Sequence, residues 1–144
     1  MGLTSSFKIS WPDFVATWCL NNAPVFSYED ADTAFSALER LWPERLAEFF
    51  KWNAKGAAAV GPLVHYGNLL GSCERLRGFE RVLNRIRIPS QQNAALSELR
   101  LAATLMSLGY QPELEPLLLG RVLDAVIEVE SHPIYFEVTC RLSA

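Results

Sequence analysis

Histidine and cysteine are scarce in this 144-residue chain, two of the first and three of the second. No Cys-x-x-Cys pair is present, which excludes the usual structural zinc site with four N or S ligands at short spacing. Cys19, Cys73 and Cys140 are odd in number, far apart and set in apolar surroundings. They read as reduced core thiols of a cytoplasmic protein, not as a disulfide framework. Charge is low as well, at 20% of residues, so some apolar surface is expected to meet a partner or a second copy. A net charge of −3 gives no global pull toward nucleic acid or membrane, and any such affinity has to come from a local patch. No apolar run is long enough for a bilayer, and MGLTSSFKISWPDF lacks a signal peptide's apolar core. Its Met-Gly start with Ser6 matches an acylation pattern too short to weigh. A phosphate loop, a dinucleotide fingerprint, a Gly-x-Ser-x-Gly elbow, internal repeats and low-complexity segments are all missing.

What remains is a hydrophobic half, 50% of residues, enough for a core in a chain about one domain long. The first two-thirds reads as helices. One starts at Ser10-Trp11-Pro12-Asp13, a second near Ser27 or Asp30, and a third at Trp42-Pro43-Glu44. GAAAVGPLVHYGNLL, residues 56–70, reads as a close-packed helix bent or broken at Gly61-Pro62. Residues 75–88 are amphipathic, with Phe79, Val82, Leu83 and Ile86 inward and Arg77, Arg81 and Arg85 recurring every four residues on another face. A long helix follows Pro89-Ser90 and ends at Gly109. The period then changes to two, predicting strands over about 111–117, 121–129 and 133–142. The expected class is α+β: a helical domain, 1–88, then a helix and a three-stranded, mostly antiparallel sheet, 89–144. Trp11, Trp18, Trp42 and Trp52 read as core of the helical part, with Trp18 or Trp52 as the alternative base-stacking candidates.

The last two strands each carry an acid, Asp124 and Glu137. Leu123, Ala125, Ile127 and Val129 form one apolar face of the first, and Ile134, Phe136, Val138 and Cys140 that of the second. Any even-length hairpin turn, whether at Ser131-His132, at Glu130-Ser131 or four residues long, puts Asp124 and Glu137 on the same opposite face. Two carboxylates that close repel unless a proton or a cation lies between them, and a hard divalent ion suits them.

Glu98 in SELRLAATLMSLGY, Asp124 in GRVLDAVIEV and Glu137 in YFEVT occur in the order that resembles the PD-(D/E)xK, or restriction-endonuclease-like, nuclease superfamily. The resemblance covers roughly residues 90–142. It implies a helix followed by three antiparallel strands, a magnesium or manganese ion on Asp124, Glu137 and the backbone carbonyl of Val138, and Glu98 orienting a water. Thr139 stands where the family's motif has Lys. A hydroxyl supplies no cation for developing phosphate charge, a role for which Arg141 and Arg121 are the substitutes. The chain stops where the family continues with another helix and strand, so a fragment or a completing second copy is expected. The resemblance thus implies phosphodiester chemistry on DNA or RNA, with Arg77, Arg81 and Arg85 as a phosphate-tracking ridge or, blandly, a solvated helix face. The alternative is a degenerate nuclease fold kept as a protein-interaction or dimerisation module. A homodimer is expected in either case, to cover Ile134, Phe136 and Val138 and the sheet edge.

Overall fold

The structure, a computed structural model, describes residues 28–52 and 60–139. The expectations for Trp11, Trp18, Cys19, Cys140 and Arg141, and for the helix at Ser10, lie outside them. The chain is mixed α+β, with five α-helices in the described residues before an antiparallel sheet, and it divides into two compact units after Gly71.

In the first unit α1, Tyr28–Leu41, has Glu29 and Asp30 in its first turn and Arg40 in its last, matching the helix dipole at both ends. Ala31, Ala34, Phe35 and Leu38 recur at helical spacing and are buried. Pro43 opens α2, Pro43–Trp52, where its missing N–H costs no hydrogen bond. The third helix, α3, Val60–Cys73, is not broken at Gly61-Pro62: those residues lie in its first turn, where proline is tolerated. Gly67 lets α3 meet α1 backbone to backbone, since a Cβ there would stand 2.1 Å from the Ala34 carbonyl oxygen. Trp42 is buried with its ring 5.8 Å from that of Tyr66, and the Arg45 guanidinium lies 5.6 Å from the Tyr66 ring centre.

In the second unit a turn replaces the expected helical start at Arg75. Gly78 has φ 89°, and a Cβ on it would come 2.0 Å from the Leu114 carbonyl oxygen. Only glycine combines that conformation with that approach. The helix α4, Phe79–Ile86, buries Phe79, Val82, Leu83 and Ile86. After a 3₁₀ turn, Pro89–Gln91, comes α5, Gln92–Ser107, which α4 packs against. The second unit thus takes in α4, whose apolar face packs against α5. Gly109, at φ 94°, closes α5 by donating its N–H to the Met106 carbonyl.

The three expected strands are cut into five: β1 Glu113–Leu114, β2 Leu117–Leu118, β3 Arg121–Val122, β4 Ala125–Val129 and β5 His132–Phe136. Left-handed Glu115 (φ 49°) and Pro116 end β1, and Leu119 (φ 51°) with Gly120 (φ 78°) closes β2 on β3. The main sheet runs β1-β4-β5, all antiparallel, and β2-β3 is a separate hairpin. Glu130 and Ser131, both left-handed, make a two-residue turn that pairs Ala125 with Phe136 and Ile127 with Ile134. This is the tightest of the turns weighed from the sequence. Leu123, Ala125 and Ile127 are buried as expected, whereas Ile134 is 43% exposed and Phe136 half-buried. The last strand ends at Phe136 rather than near Leu142, so Thr139 is an exposed residue beyond it.

Candidate functional site

Asp124 and Glu137 each lie one residue beyond the last pair, Ala125 with Phe136, at the open end of the β4–β5 hairpin. Asp124 is half-buried and tied on three sides. Its carbonyl accepts the Glu115 N–H (3.0 Å), its N–H donates to the Phe136 carbonyl (3.1 Å), and its carboxylate accepts the Val138 N–H. Its carboxylate thus ties down the backbone that follows β5, beyond the last ladder pair. Glu137 is exposed, and its carboxylate takes a hydrogen bond from Arg121 Nη2 at 2.6 Å.

Glu98 faces inward from α5 and is 3% exposed. One of its oxygens pairs with Arg85 Nη1, and the other is buried with no hydrogen-bond partner. The same guanidinium nitrogen lies 3.1 Å from Oε1 of Glu115, which is also buried. Burial raises the Glu98 carboxyl to about 7; the Arg85 pair pulls down, and the charges of Asp124 and Glu115 add to the rise. A carboxyl at that value holds and releases a proton near neutrality.

Arg77, in the turn before α4, and Arg81 and Arg85, on α4, are all turned to acids of this chain. Arg77 reaches Glu113 at 3.5 Å, Arg81 donates to the carbonyls of Leu114 (3.2 Å) and Glu115 (3.1 Å), and Arg85 joins Glu98 and Glu115. The stripe laces α4 and the turn before it to the segment around β1. Glu115 escaped the sequence reading altogether. Its signal was the triplet Glu113-Leu114-Glu115 just before Pro116, one turn's reach from arginines spaced by four.

Among the described residues no three His, Cys, Asp or Glu side chains stand together as a metal cage. Magnesium rarely uses such cages; it is held by one or two carboxylates, waters and substrate phosphates. Asp124 and Glu137 are a donor pair of that kind, all oxygen and hard. The Arg121–Glu137 contact, with side chains 71% and 52% exposed, is a surface pair that costs little to open. The donor chemistry therefore fits a divalent ion at these two acids, while Glu98, engaged by Arg85, stands behind them. His65 and His132 are exposed and belong to no such group, and Cys73 is buried, its thiol pushed up to about 11 by burial. A groove over the same sheet face is lined by Tyr110, Val126 and Tyr135 but also by Glu113 and Glu128, which makes it a poor seat for phosphate.

No helix among the described residues is long and apolar enough to cross a membrane. Comparison with protein-family profiles, with curated proteins and with solved structures finds no match.

Proposed function

We propose that residues 92–139 form a nuclease-like core that takes magnesium or manganese at Asp124 and Glu137 and acts on a DNA or RNA phosphodiester. The observation that carries this reading is the juxtaposition of Asp124 and Glu137 at one hairpin end, with Glu98 buried on the preceding helix and electrostatically coupled to Asp124. When bound, the ion would lower the pKa of a coordinated water and neutralise phosphate charge. Asp124 is held in place by the Val138 N–H, and Glu137 is freed when Arg121 leaves it. Arg121, displaced and exposed, then stands in for the motif's missing Lys and turns toward the phosphate. Glu98, half-titrated near neutrality, accepts or returns a proton through an intervening water.

The test is cleavage of labelled single- and double-stranded DNA and RNA by the full chain in 10 mM Mg²⁺ or Mn²⁺. Cleavage abolished by EDTA and by Asp124→Ala is expected. Metal-dependent binding without cleavage would leave a nucleic-acid-binding core and remove the enzyme, as Thr139 in the Lys position allows. A second reading, a non-catalytic interaction or dimerisation module, draws on β5 being an edge strand with Ile134 exposed. It is favoured if neither metal nor nucleic acid binds and sedimentation shows a concentration-dependent dimer.

A further inference from the structure

The β2–β3 hairpin breaks two rules at one residue. Leu119 sits at its tip with φ 51°, a left-handed conformation that a bulky side chain disfavours, and it is 98% exposed. Leu117 and Val122, paired across the hairpin, are 69% and 58% exposed. Single exposed apolar residues are ordinary, but an apolar pair beneath an apolar tip held in strained backbone is not. Nothing in the hairpin's own packing accounts for leucine at the tip, since Asn or Gly suits both the conformation and the exposure better.

The hairpin's place in the fold indicates what meets it. Gly120 alone separates Leu119 from Arg121, the arginine that bonds Glu137, so the apolar tip is two residues along the chain from a cation at the acid pair. Whatever lies along Asp124 and Glu137 and draws Arg121 away passes beside Leu119. A nucleic-acid strand answers both features: its phosphates take the guanidinium, and its base steps accept an inserted aliphatic side chain. We infer that the β2–β3 hairpin is a wedge that inserts Leu119 between bases of the strand whose phosphodiester lies at Asp124 and Glu137, which makes the substrate one with unpaired or easily unstacked bases. This rests on the nuclease-like reading of that acid pair.

The test uses the full chain with Ca²⁺ replacing Mg²⁺ to hold an uncut complex, and oligonucleotides carrying 2-aminopurine, single-stranded and fully paired. The wedge predicts tighter binding of the single strand and a rise in 2-aminopurine fluorescence on binding. Leu119→Asn should weaken binding about tenfold or more, the scale of losing one buried leucine, and abolish the rise. Asn prefers the left-handed tip, so the melting temperature of this variant should stay level or rise, which separates the wedge from a folding role. Leu119→Met, apolar and of similar size, should keep both affinity and signal. Wild-type binding that Leu119→Asn leaves intact overturns the wedge alone and spares the acid-pair reading. If the wild type binds no oligonucleotide, both fall. If Leu119→Asn instead dissociates a dimer without touching nucleic-acid binding, the tip serves a second copy and the wedge is wrong.

Discussion

Glu98 and Arg85 show how much one residue pair decides here. A carboxylate buried on α5 is tolerable because a guanidinium from α4 reaches it, and that guanidinium is shared with a second buried acid, Glu115. Arg85→Ala strands both acids, and removing one partner of a buried pair typically costs about 3 kcal/mol or more. Arg77→Ala, by contrast, removes an exposed contact at 3.5 Å and should cost less than about 0.5 kcal/mol. Urea denaturation of the two variants distinguishes them, and equal losses would show that Arg85 is not the centre of the cluster. The pH dependence follows from the same group. Since the Glu98 carboxyl is raised from 4.5 to about 7 on folding, the folded state holds a proton that the unfolded state has released between those values. Its contribution to stability is therefore largest below pH 4.5 and falls as pH rises to 7, by on the order of 3 kcal/mol. Glu98→Gln should flatten that fall; a variant whose stability drops between pH 4.5 and 7 as steeply as the wild type's would assign the titration elsewhere.

At the scale of elements the turns set the geometry, and two of them use residues that a turn of that type does not favour. Glu130 and Ser131 both adopt positive φ in the two-residue link that aligns Asp124 with Glu137, where Asn-Gly is the preferred pair. The double change Glu130→Asn with Ser131→Gly should stabilise the hairpin by about 1–2 kcal/mol, read as a higher urea midpoint with unchanged slope. A lower midpoint would mean that the register is held by something other than this turn. Gly78→Ala should do the opposite, because its Cβ collides with the Leu114 carbonyl at 2.0 Å; a thermal midpoint equal to the wild type's would contradict the close approach.

These turns also mark what the sequence could carry. The helical periodicity of Phe79, Val82, Leu83 and Ile86, and the alternation of Leu123, Ala125 and Ile127, were legible because burial imposes a period on apolar residues. Parity predicts one face for Asp124 and Glu137 with any even-length turn. The register stayed open because Glu-Ser-His-Pro contains no residue with a strong left-handed preference. Glu115, at positive φ without glycine, likewise hid the division of one expected strand into β1 and β2. The burial of Glu98 was illegible for another reason: it depends on Arg85, thirteen residues away on a different helix, and no local pattern links the two.

For the molecule as a whole, what matters is whether its acids form a binding site or merely complete a polar network. Every acid near the hairpin end has an internal partner: Arg85 for Glu98, Arg121 for Glu137 and the Val138 N–H for Asp124. A purely structural network would be indifferent to cations, whereas a metal site gains stability by mass action when the ion binds the folded state alone. The most direct measurement is the melting temperature of the full chain as Mg²⁺ or Mn²⁺ is raised to 10 mM at constant ionic strength, beside Asp124→Asn. A metal site at Asp124 and Glu137 predicts a rise of about 3–6 °C in the wild type, corresponding to roughly tenfold saturation, and none in the variant. A wild-type curve that does not move, or an equal shift in Asp124→Asn, would contradict it.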